Sequence, residues 1–161
     1  MSIAAYTTFN DVRAALGVTP KDLADDTLAL AYYEDSLLEG LDNVHPSLIQ
    51  SFNEANSADP QSSAQARLTR SVRLLATLVV AKAAIPAMRM AAPQQVSDGK
   101  ATLTRFTDPL VELERGIDKN YAQAKNRVEA ALEALLVGNK GTTARVYFSV
   151  VSPGVDPVTG T

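Results

Sequence analysis

The chain has 161 residues, 46% of them hydrophobic and 20% charged, which is ordinary globular usage and enough for one sizeable core in one domain. Its formal charge of -3 gives no general attraction to phosphate backbones, and the absence of cysteine removes disulfides, thiolate nucleophiles, iron–sulfur clusters and cysteine zinc sites together. Aromatics make up 6% and tryptophan is absent, so the core must come from aliphatic stripes on helices, in a chain suited to a reducing compartment.

Met1 to Tyr6 lacks the basic and continuously apolar stretches of a secretory signal, so the expectation is a cytosolic chain. Thr8 or Asn10 caps a short first helix with Phe9, Val12 and Leu16 on one face and Gly17 at its end. Thr19-Pro20-Lys21-Asp22 predicts a second start, with Thr19 as cap and Pro20 in the first turn. A helix over 28–41, broken from the previous one at Asp25-Asp26, carries Leu30, Tyr33, Leu37 and Leu41 on one face, and Gly40 and Asn43 mark its end. Tyr32 and Tyr33 fit core packing better than an interface.

Pro46 opens a helix to about Ala55 with Leu48, Ile49 and Phe52 inward, and Asn56 to Pro60 is a loop. From Ser62 to about Met90, the spacing of Leu68, Val72, Leu75, Val79 and Ala83 predicts a long core helix that Pro86 kinks or ends. Leu74 to Ala92 is apolar, but Lys82 and Arg89 would be expensive in hydrocarbon, so it reads as buried helix and no membrane partner is expected. Asp98-Gly99, between short alternating segments, predicts a small hairpin or ordered loop. Asp108 then caps a second long helix, with Leu110, Leu113, Ile117, Tyr121, Ala124, Val128, Ala131 and Leu135 stepping by three or four and Gly138 at its end.

At about 1.5 Å per residue that helix is roughly 43 Å long, so the fold class is mainly α: an elongated bundle of two long helices with the Asp-Gly insertion. Beyond it Arg145-Val146-Tyr147-Phe148-Ser149-Val150-Val151 has high β propensity. Residues 1–138 therefore read as a helical domain and 139–161 as a C-terminal arm joined by the flexible Gly138-Asn139-Lys140-Gly141. Such a strand needs a partner, either the hairpin or another subunit.

Chemistry is sparse. His45, the single histidine, precedes Pro46 at a helix start and has no second histidine or cysteine with which to build a ligand set or relay. The acidic pairs Asp25-Asp26, Glu34-Asp35 and Glu112 with Glu114 suit helix starts and solvated faces. Asp98-Gly99-Lys100 lacks the glycine spacing and the Lys-Ser or Lys-Thr pair of a phosphate loop. No catalytic residue, metal or cofactor is expected, and the chain reads as non-enzymatic. Arg67, Arg70 and Arg73 form a ridge on the long helix that suits a solvated face, or contact with an acidic protein or DNA.

The Tyr6-Thr7-Thr8-Phe9-Asn10-Asp11-Val12-Arg13 start, the insertion from Ser97-Asp98-Gly99-Lys100 to Arg105-Phe106 and Tyr121 in the last helix, in this order of elements, resemble the head–tail connector proteins of tailed bacteriophages over roughly Tyr6 to Leu135. The resemblance implies a structural virion protein assembled in the host cytoplasm. It would form a dodecameric adaptor ring in the neck, between the portal protein and the tail or next neck (stopper) protein, with DNA passing through its lumen. It also implies that Arg145, Val146, Tyr147, Phe148, Val150 and Val151 lie in a portal-docking arm. Arg67, Arg70 and Arg73 are then candidates for an inter-subunit or partner contact. The rival reading is a DNA-packaging or regulatory nucleic-acid binder that uses the same three arginines.

Overall fold

A computed structural model describes residues 3–91, 95–97, 102–104 and 109–139, with side chains over 3–88 and 110–137. After a 3-10 turn at Ile3–Ala5, the helices are α1 (Phe9–Leu16), α2 (Asp25–Leu28), α3 (Ala31–Asp42), α4 (Leu48–Ser57), α5 (Ser63–Ala91) and α6 (Pro109–Asn139). Two three-residue strands, β1 (Gln95–Ser97) and β2 (Thr102–Thr104), lie between α5 and α6 and pair antiparallel, with Val96 opposite Leu103. The expected hairpin thus has its two strands; Asp98, Gly99 and Lys100 lie outside the described residues, as does the arm over 140–161.

Local chemistry accounts for the boundaries. Thr8 caps α1 by accepting from the Asp11 amide at 3.1 Å and donating to the Asp11 carboxylate at 2.7 Å, and Gly17 closes it in the left-handed region at φ 68°. Ser62 and Gln65 form a reciprocal cap at the start of α5: the Gln65 amide donates to Ser62 Oγ and the Ser62 amide to Gln65 Oε1. Thr19 and Asp22 make a similar pair, which holds the Asp22 carboxyl below its ordinary pKa through the Thr19 hydroxyl first and its amide second. The predicted helix there is nevertheless a single turn, because Ala24 is extended at ψ 155° and α2 restarts after it.

Helix α5 is the common wall. α1, α3 and α4 pack on it from one side and α6 runs along it, so both apolar layers of the molecule share one helix. From Leu75 to Ile85 it is enclosed nearly all round: Leu75, Ala76, Leu78, Val79, Val80, Ala81, Ala84 and Ile85 are buried. By length and composition Ser63–Met88 would also suit a membrane span; here 56% of its apolar window is buried inside the molecule, against helices of the same chain. The facing stripe of α6 is Ile117, Ala124, Val128, Ala131, Leu132 and Leu135.

The N-terminal segment is tied to this wall by Tyr6, fully buried and stacked on Phe52 at 4.8 Å between ring centres, and by a 2.6 Å bond between the hydroxyls of Thr7 and Thr77. Thr77 donates to the Arg73 carbonyl at 3.0 Å, so Thr7 supplies the proton of that bond. One buried hydroxyl, Thr69 Oγ1, has no hydrogen-bond partner among the described residues.

Several expectations change. Gly40 does not end α3 but lies inside it, where an added Cβ would stand 2.7 Å from Val79 Cγ1; the glycine is a close approach between α3 and α5. The break before α3 falls at Ala29-Leu30 instead of Asp25-Asp26, and Leu30 becomes an extended N-cap with its side chain 55% exposed. Of the two outcomes expected at Pro86, a kink or an end, the end does not occur: α5 continues through Pro86, whose ring is exposed, so the carbonyl that loses its amide partner lies on the solvent side of the helix. α6 runs one residue past Gly138.

Candidate assembly surfaces

The side chains with chemical potential are distributed as caps and ties. Arg13, only 5% exposed, donates from Nε to the Leu23 carbonyl at 2.8 Å and from Nη1 to Asn10 Oδ1 at 2.9 Å, and its Nη2 pairs with the Asp25 carboxylate. One guanidinium therefore fastens α1, the Thr19–Leu23 turn and α2 together. Its role was not legible beforehand, because nothing in the spacing of Arg13, Leu23 and Asp25 marks a shared site.

His45 is exposed, and its Nδ1 accepts from the Ser47 amide at 3.2 Å in the turn that leads into α4. Of the acidic pairs, Asp25 serves Arg13, while Glu112 accepts from Arg115 at 3.0 Å on an exposed face. Lys82 sits 2.7 Å from the Asp118 carboxylate and 5.5 Å above the Tyr121 ring, a half-exposed clasp between α5 and α6. Burial of the Tyr6 and Tyr33 phenols raises their pKa, as desolvation of a core hydroxyl requires. Among the described residues, no three His, Cys, Asp or Glu side chains converge.

The surfaces are more informative. Arg67, Arg70 and Arg73 are all exposed, on the part of α5 that precedes its enclosed half. Arg73 donates to Asn56 Oδ1 at 3.1 Å; Arg67 and Arg70 have no acidic partner among the described residues. Leu74, 42% exposed, lies one helical turn beyond Arg70. On α3, Tyr33 and Leu37 are core, as the sequence implies, whereas Tyr32 is 60% exposed and meets Tyr33 edge-on at 5.2 Å. Val111, Leu136 and Val137 are the exposed large apolar residues of α6. The arm residues Arg145, Val146, Tyr147, Phe148, Val150 and Val151 lie outside the described residues.

Charge is segregated along the chain. From Asp22 to Ala66 there are nine carboxylates (Asp22, Asp25, Asp26, Glu34, Asp35, Glu39, Asp42, Glu54, Asp59) and neither Lys nor Arg. From Arg67 to Ser97 there are five basic residues and no acidic one. This pattern was readable in the sequence, but it acquires meaning only when α3 and α5 are seen to carry their charges on exposed faces.

Comparison of the chain with family models, with curated proteins and with solved structures gave no match.

Proposed function

We propose that the protein is a non-enzymatic assembly component of a tailed-phage neck, a head–tail connector that forms a ring between the portal and the tail or next neck protein. The observation that carries this reading is the order of elements: a capped N-terminal helix, two long helices side by side with a short hairpin between them, and a β-prone segment after Asn139. The distribution of polar groups suits it: among the described residues Arg13 fastens α1 to the turn before α2, and Lys82 and Asp118 clasp α5 to α6. In this reading Arg145 to Val151 dock on the portal, the bundle forms the ring wall, and DNA passes through the lumen without sequence-specific contact. An acidic chain suits that passage, because a channel that releases DNA must not grip it.

Electron microscopy of particles from the native genome carrying an early stop codon in this gene tests the reading. Heads and tails that accumulate unjoined are the expected result; normal infectious virions overturn it. Deletion of residues 141–161 should leave a folded bundle that fails to join particles, whereas unfolding of the truncated chain by circular dichroism would make the segment part of the core.

A second reading has its own observation. All three ridge arginines are exposed, as a nucleic-acid-packaging or regulatory protein requires. It predicts salt-sensitive DNA binding that vanishes when Arg67, Arg70 and Arg73 are replaced, and absence of binding at low salt removes it.

A further inference from the structure

On α3, Asp35, Glu39 and Asp42 follow at i, i+4 and i+7, within roughly 60° of one another around the helix, and the exposed Tyr32 continues the same line. None of the three carboxylates has an ionic or hydrogen-bonded partner among the described residues. The α5 ridge offers the opposite charge in the same number: Arg67, Arg70 and the exposed Leu74 lie within roughly 60° of one another, and Arg73, which donates to Asn56 Oδ1, lies roughly 60° further round. The two charged runs are also similar in length, about 10 Å from Asp35 to Asp42 and about 9 Å from Arg67 to Arg73.

We propose that the acidic stripe of α3 in one copy receives the arginine ridge of α5 in a second copy of this chain, so that the protein self-associates head to tail. Each copy carries both stripes on different helices. A contact that pairs one of each leaves the others free for the next copy, the heterologous arrangement that generates rings or filaments, whereas a reciprocal two-fold dimer would use both at once and stop at two chains. A two-fold contact of either stripe with itself would oppose like charges, which disfavours that form of symmetric dimer. The aromatic face of Tyr32 offers a seat for a guanidinium, and Leu74 gives the contact an apolar centre that water-separated charges alone would lack. This inference deepens the ring reading above by naming the contact between subunits; closure into a ring, as opposed to a filament, rests on that reading.

The test is sedimentation velocity of the full chain at low and high salt. At about 50 mM salt the wild type should sediment as species larger than about twice the 17.1 kDa of one chain, returning to one chain at about 1 M, where exposed charges are screened. The triple variant Arg67→Glu/Arg70→Glu/Arg73→Glu should remain monomeric at both, as should Asp35→Lys/Glu39→Lys/Asp42→Lys. Every position is solvent-facing, so circular dichroism should show both folded. Mixing the two variants recreates both pairings, one native and one reversed, and should restore the assembled species; this rescue separates the contact from a nonspecific charge effect.

A wild-type chain that stays monomeric or stops at two chains at low salt, variants that still assemble, or a mixture that fails to reassemble would each overturn the proposal. So would duplex DNA binding that the arginine variant loses while self-association is unchanged, which would hand the ridge to nucleic acid. Failure of this contact and failure of the neck reading are distinguishable: particles lacking the protein report on the neck, and the charge exchange reports only on subunit contact.

Discussion

Arg13 shows how one residue decides a local structure that propensity leaves open. The segment from Gly17 to Leu30 is too short and interrupted to hold itself, and the buried guanidinium supplies its fixed point by satisfying the Leu23 carbonyl and meeting Asp25. The two bonds are not equal. Asp25 is 68% exposed, so solvent and salt reduce the ionic contribution to within about 1 kcal/mol, whereas the carbonyl bond is buried and its loss leaves an unmet acceptor. Arg13→Met should therefore lower unfolding stability by about 1–3 kcal/mol in urea denaturation, while Asp25→Asn should lower it by less than about 1 kcal/mol. A larger loss for the aspartate would show that the ion pair dominates.

At the scale of elements, hydrophobic spacing gives the long helices well and fails where two helices touch. Leu68, Val72, Leu75 and Val79 on α5, and Ile117, Ala124, Val128, Ala131 and Leu135 on α6, were legible as stripes and are buried as such. Gly40 read as a helix end because glycine usually punctuates; its actual reason, the nearness of Val79, exists only once α3 and α5 are packed. Gly40→Ala should cost about 1–3 kcal/mol by overpacking, and Val79→Ala introduced with it should cost less than the sum of the single changes, measured as a double-mutant cycle. Strict additivity would mean that the helices shift apart freely. Thr19-Pro20 failed for a related reason: the capping chemistry is present, but Ala24 turns the chain away after one turn, and no local signal announces it.

For the whole molecule, the mainly helical class and the two long helices were readable, but the sharing of one wall was not, because sequence periodicity shows that a face is buried without saying against what. α6 packs along α5 and makes no extensive contact with another described helix, whereas α5 is covered from both sides. Hydrogen exchange should find the α6 amides opening at lower free energy than those of α5 between Val72 and Ile85. Equal protection would identify a single cooperative unit. The surfaces for assembly were partly legible: the arginine ridge stood out by its spacing, while of the acidic stripe of α3 only Asp35 was singled out, as half of a pair with Glu34, until the helix placed Asp35, Glu39 and Asp42 in line.

The position of α5 in the chain has a consequence for biosynthesis. α1 to α4 leave the ribosome before the wall on which they pack, and at about 5–20 residues per second the 29 residues of α5 take roughly 1.5–6 s more to translate. During that interval Tyr6, Phe52 and the apolar faces of α3 and α4 have no native surface to cover them. The nine carboxylates from Asp22 to Ala66, with neither Lys nor Arg among them, give most of that nascent segment one sign of charge, which opposes contact between copies on neighbouring ribosomes until α5 arrives.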